Sequence, residues 1–104
     1  ILTNGGTGYS HQKTTAAAIT PLLDVTIAGF GELFRHLSFL EIGSSTPQSD
    51  AFAGGANDTL IFCMPGSTGA CQTAFERIIK EQLDSTHRPC NFATHYLDTL
   101  RQTP

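Results

Sequence analysis

Two apolar runs in this chain each break off into a glycine-bearing loop, and that arrangement narrows the folds open to it. The first run, Ile1-Leu2-Thr3, reads as the end of a β-strand and leads into Asn4-Gly5-Gly6-Thr7-Gly8-Tyr9-Ser10. The second, Thr59-Leu60-Ile61-Phe62-Cys63-Met64, leads into Pro65-Gly66-Ser67-Thr68-Gly69. Glycines at three of four consecutive positions let a backbone turn sharply, take positive φ and approach a ligand closely. Thr7 and Ser10 add hydroxyls, and the N–H groups around them suit anionic oxygens such as phosphate. One such loop is as consistent with a plain turn as with a binding loop. A second of the same kind favours the binding reading.

Between and after the loops the pattern is helical. Thr14 to Leu23 is alanine-rich, offers Thr14 or Thr15 as an N-cap, and is interrupted by Pro21. Val25 to Ala28 reads as a short connection. Gly29-Phe30-Gly31 opens a second helix in which Phe30, Leu33, Phe34, Leu37 and Leu40 or Glu41 recur at helical spacing. Core packing is the plain reading of that face and a subunit contact the sharper one. Gly43 is a natural stop, and Ser44 to Asp50 is a polar loop. Ala51 to Ala56 and Thr59 to Met64 read as a hairpin about Asn57-Asp58.

Ser67 is placed to cap a helix running to about Leu83, with Ala70, Ala74, Phe75, Ile78, Ile79 and Leu83 as its apolar stripe. On its exposed side Glu76 and Lys80, and Arg77 and Glu81, are spaced to pair. The first N–H groups of this helix, near Ser67 and Thr68, can bind an anion, with a mere cap as the plain alternative. Asp84 to Asn91 is turn-rich, and Ala93 to Arg101 has the makings of a short last helix. Alternating strands and helices indicate an α/β sheet with ligand loops at its strand ends. Only three strands are visible, so the sheet reads as incomplete.

Composition excludes several classes. A chain of 104 residues is one domain. Its net charge of -3 and scattered basic residues give no nucleic-acid footprint. Charged residues make up only 14%, a weak hint that other subunits cover part of the surface. Without a run long enough to span a bilayer, a soluble, cytoplasmic protein with no membrane partner is expected. Cys63, Cys71 and Cys90 have neither metal-site spacing nor an even count for a disulfide framework, and Cys63 reads as a small core residue. The four histidines do not cluster, so no metal site is expected.

The ordered blocks Leu2-Thr3-Asn4-Gly5-Gly6-Thr7-Gly8, Gly29-Phe30-Gly31-Glu32-Leu33-Phe34-Arg35, Leu37-Ser38-Phe39, Glu41-Ile42-Gly43, Met64-Pro65-Gly66-Ser67-Thr68 and Arg88-Pro89-Cys90-Asn91-Phe92 resemble the MoaB/Mog family of molybdenum-cofactor biosynthesis proteins, and its MoaB branch most. The match runs over residues 1–92, as the C-terminal portion of such a domain, with 93–104 as a tail. The resemblance implies a three-layer α/β/α fold, here lacking its first strand–helix units, often assembled as a homotrimer. It further implies binding of molybdopterin, which relatives adenylylate with ATP and Mg²⁺ to give adenylyl-molybdopterin and pyrophosphate. By matching position, Gly5, Gly6, Thr7, Gly8 and Ser10 would hold the phosphate end of the pterin or nucleotide. Pro65, Gly66, Ser67 and Thr68 would shape the opposite wall, with Glu32 near the site.

Two departures from the family pattern bear on catalysis. Where relatives read like Arg-Asp-Val-Thr-Pro, this chain reads Gln12-Lys13-Thr14-Thr15-Ala16, so a lysine stands at an acidic position where a metal-holding carboxylate is expected. The family's Ser-Arg pair is here Ser49-Asp50, which removes a cation from the path of an anion or a neighbouring subunit. Whether the chain is an enzyme therefore stays open. A pterin-binding adenylyltransferase by ancestry, a non-catalytic binding or assembly protein, and an inactive truncated product are the three readings. The last is motivated by the start at Ile1, mid-strand and without Met, which reads as a processed chain or a fragment.

Overall fold

The computed structural model describes residues 1–7, 15–48 and 50–95. Its elements are β1 (Leu2–Asn4), α1 (Thr15–Ile19), β2 (Val25–Thr26), α2 (Ala28–Ile42), β3 (Phe52–Ala56), β4 (Thr59–Met64) and α3 (Thr68–Ala74). The last helix continues without a break through a π-helical stretch, Phe75–Ile79, into α4 (Lys80–Gln82). The four strands form one sheet in the order β1-β4-β3-β2. β1 runs parallel to β4, and the other two pairings are antiparallel. The fold is thus α/β, as the sequence predicts.

The hairpin forms where expected. Asn57 and Asp58 take φ of 50° and 57°, the mirror-image turn whose twist suits two strands joined by two residues. Four strands are present instead of three, because Val25–Thr26 is a sheet edge rather than a connection. Two residues are too few to show alternation, but both are β-branched. Hydrogen bonds from Asp24 N–H to Gly55 O (2.8 Å) and Ile27 N–H to Ala53 O (2.8 Å) fix them against β3. The same approach explains Gly54 of β3. A Cβ on Gly54 would sit 2.5 Å from Val25 O and 2.6 Å from a Leu23 methyl, so only glycine lets the edge close.

One face of the sheet carries the core. Phe62 and Met64 from β4, with Ala51 and Ala53 opposite them, meet Phe30, Phe34 and Leu37 of α2 and Ala74, Ile78 and Ile79 of the last helix. Phe30 stands edge-on to Phe62 with ring centroids 5.1 Å apart, a geometry worth about 0.5–1.5 kcal/mol beyond the area it buries. Thr73 Oγ1 donates to the Glu41 carboxylate at 2.8 Å, tying the end of α2 to α3.

The buried stripe of α2 is narrower than its periodicity predicts. Phe30, Phe34 and Leu37 are buried, but Leu33 and Leu40 point outward beside Phe39 and Ile42. Two packed neighbours, the sheet and α3, cover one side of a helix, and α2 carries apolar residues on more than one side. Phe75 and Leu83 are likewise exposed on the last helix, although Ala74, Ile78 and Ile79 are buried as expected. Pro21 converts the end of α1 into a 3₁₀ turn, Thr20–Leu22, and the polar loop after Gly43 contains another, Gly43–Gln48. Residues 92–95 are helical; the rest of the expected tail helix lies outside the described residues.

Candidate functional site

Because β1 and β4 are parallel neighbours, in register Leu2 with Phe62 through Asn4 with Met64, the loops that follow them leave the sheet side by side. Gly5 N–H donates to Met64 O at 2.9 Å, so the first loop is anchored to the last residue before the second. A Cβ on Gly66 would lie 3.4 Å from Gly5 Cα, so the two loop backbones run close together with room for little more than a methyl group between them. Parallel strands whose C-terminal ends meet in this way form the usual ligand crevice of an open α/β sheet.

The first loop depends on conformations that suit only glycine. Gly5 and Gly6 have φ of 91° and 73°. Thr15, the first residue of α1, holds them: its Oγ1 donates to Gly5 O at 2.6 Å and its N–H to Gly6 O at 3.2 Å. Of the two threonines offered as an N-cap, Thr14 lies outside the described residues, and Thr15, already inside the helix, turns its hydroxyl onto the loop. A sequence reading of cap propensity alone could not find that role, since the partner lies ten residues upstream. Thr7 is buried, 1% exposed, and its Oγ1 has no hydrogen-bond partner among the described residues. Gly8 and Ser10, expected in this loop, and Lys13 lie outside the described residues.

The second loop is built differently. Pro65 is buried, while Gly66, Ser67 and Thr68 are exposed. Ser67 is the N-cap, its Oγ accepting from Ala70 N–H at 3.2 Å. The Cys71 thiol donates to Pro65 O at 2.9 Å, which fixes the entry to the helix. Neither loop contains a charged side chain among its described residues, so an anion here would be met by N–H and O–H dipoles.

Glu32 stands apart from both. It lies on α2 and lines an open hollow of about 240 Å³ with Thr26, Gly31, Arg35, Asp50 and Phe52. The hollow shares the sheet end with the loops, since Phe52 pairs with Cys63 and the start of α2 is tied to Ala53, but none of the described loop residues lines it. Asp50 accepts from Arg35 Nη1 at 2.6 Å and from Ala51 N–H at 2.8 Å. Both side chains are over a third exposed, so the pair contributes only about 0.2–1 kcal/mol. Among the described residues no three His, Cys, Asp or Glu side chains come together to hold a metal, and no helix is long and apolar enough to cross a membrane.

A parallel strand pair ending in two adjacent glycine loops is an arrangement of the open α/β sheet class, in which ligands are generally held beyond the carboxyl ends of the strands. The sequence profile described as "Probable molybdopterin binding domain" matches residues 1–85, and the chain belongs to that family of molybdenum-cofactor biosynthesis proteins. It is 58% identical over 95 residues to Molybdenum cofactor biosynthesis protein B of Escherichia coli (strain K12), covering 91% of this chain and 56% of that relative. The protein of the same name from Staphylococcus aureus (strain MRSA252) is 51% identical over 85 residues, covering 81% and 51%. Among solved structures, a Molybdenum cofactor biosynthesis protein B superposes with a TM-score of 0.80 at 41% identity, over 97% of this chain and 58% of its own. The tungsten cofactor synthesizing protein MoaB from Pyrococcus furiosus gives 0.72 at 32% identity over the same shares. The chain spans about half the length of the curated relatives it matches.

Proposed function

We propose that this chain carries the phosphate-holding part of a molybdopterin site, with residues 1–92 acting as the C-terminal portion of a molybdopterin-binding domain. Gly5, Gly6, Thr7, Gly8 and Ser10 hold the phosphate end, and Pro65, Gly66, Ser67 and Thr68 form the facing wall. The observation that carries this reading is the close approach of the two loops at Gly5 and Gly66, together with the buried Thr7 hydroxyl, which has no partner among the described residues. A buried donor left unmade costs about 1–3 kcal/mol, and an anionic oxygen reaching it recovers that cost with a charge-assisted bond. Glu32 serves the neighbouring hollow, at the same end of the sheet. Calorimetry of the intact protein with molybdopterin tests the reading: binding heat is expected, and no heat with either molybdopterin or ATP would overturn it.

The finer assignment is adenylyl transfer, in which ATP, bound with Mg²⁺, donates AMP to the pterin phosphate and pyrophosphate leaves. The described residues supply N–H and O–H donors for phosphate but no metal cradle, so their part is to bind and orient. A non-catalytic pterin-binding protein is the second reading, favoured by Asp50, which neutralises Arg35 where the family carries a further cation. Pyrophosphate release by the intact protein, with and without Lys13→Asp, separates the two. Release by either form supports the transferase, and firm pterin binding with no release from both supports the binding protein. Exposed Leu33, Phe39, Leu40 and Ile42 on α2 support assembly with further copies, a homotrimer on the family pattern.

A further inference from the structure

We propose that Thr15 is the positioning residue of the first loop, turning the Gly5 and Gly6 carbonyl oxygens away from the anion so that these two peptides present their N–H groups to it. The inference rests on reading that loop as a phosphate site. A glycine loop can bind an anion only if its carbonyl oxygens are directed elsewhere, because each carries negative charge that would oppose the guest. Here both go to one residue: Gly5 O accepts from Thr15 Oγ1 and Gly6 O accepts from Thr15 N–H, at 2.6 Å and 3.2 Å. That N–H lies at the start of α1, where a helix has no internal acceptor for it, so the bond takes nothing from the helix.

The donors are left on the other side. Gly5 N–H is used on Met64 O, but among the described residues nothing accepts from the N–H of Gly6 or Thr7. The Thr7 hydroxyl, 1% exposed, is also without a partner among them. Gly6 is packed so closely on Thr15 that a Cβ there would overlap Thr15 Oγ1. The β-branched side chain has few rotamers, so the hydroxyl is held in place rather than recruited when ligand arrives.

The test uses the intact protein, titrated with molybdopterin and with its dephosphorylated form. Wild type should prefer the phosphorylated ligand. Thr15→Val, which keeps the shape and the N–H but loses the hydroxyl, should shrink that preference by about tenfold or more while binding of the dephosphorylated form is unchanged. Thr15→Ser should retain the preference to within about threefold. Thr15→Ala, a better helix former, makes the same deletion should valine unfold the chain. An unchanged preference in the hydroxyl-free variants, or an equal loss in Thr15→Ser, overturns the role of Thr15 and leaves the phosphate site standing. Absence of any preference in wild type overturns the site itself, and the proposal with it.

Discussion

In the first loop Gly5 and Gly6 sit at φ of 91° and 73°, pinned to Thr15 and to Met64, with Thr7 buried behind them. In the second, Ser67 and Thr68 are exposed, and the backbone takes its course from the helix it caps. Both loops follow parallel, neighbouring strands and leave the same end of the sheet. One is held by partners far away in sequence, the other by partners within six residues. Substitutions in the first should therefore act through tertiary contacts, and in the second through ordinary helix propensity.

The largest expected difference comes from one substitution made in each loop. Gly6→Ala forces a Cβ residue into the left-handed region, at about 1–2 kcal/mol, and drives it into Thr15 Oγ1, at a further 0.5–1.5 kcal/mol or so for the lost hydrogen bond. Gly69→Ala meets nothing within 4 Å and lies in a helix, so it should gain about 0.5–1 kcal/mol. Urea unfolding of the intact protein should then show shifts of opposite sign. Shifts of the same sign and size would erase the distinction between the loops.

A smaller effect sharpens it at the second loop. Ser67→Ala removes the cap to Ala70 N–H and should cost about 1 kcal/mol. Ser67→Asp restores a good cap but sets a carboxylate among the donors. Stability should return to that of wild type while affinity for molybdopterin falls. Recovery of both would mean that Ser67 only caps the helix and meets no anion.

Legibility in the sequence follows the same division. The second loop, its cap, the hairpin turn at Asn57-Asp58 and the strand Thr59–Met64 are specified by neighbours in the chain, and their residue types announce them. β2 was not legible, because two residues have no periodicity and their pairing depends on Gly54 and Gly55, some thirty positions on. Outward-facing Leu33 and Leu40 read as core for a related reason: spacing reports that a helix has apolar faces but not how many neighbours will cover them. Both loops of the candidate site could be picked out by their glycines. What holds the first one could not, since nothing near Gly5 in the chain marks Thr15 as its partner.

The smallest expected effect concerns Asp84, in a local turn remote from both loops in sequence. The Thr86 hydroxyl, at 2.6 Å, and then the Thr86 N–H, at 2.8 Å, donate to its carboxylate and hold its pKa below the usual range, with His87 adding to the effect. A depressed folded pKa contributes stability that is present above the unfolded value and is lost as pH falls through the folded one. The side chain is fully exposed, so acidification should loosen this turn with little change in global unfolding. Thr86→Val deletes the leading donor and should raise the Asp84 pKa toward the ordinary carboxylate value, as followed by side-chain carbonyl NMR across the acid range. If the turn is as local as the second loop, the amide signals of Gly5, Gly6 and Thr7 will not move with it. Movement of those signals in step with Asp84 would couple the regions and undo the separation between near and distant support.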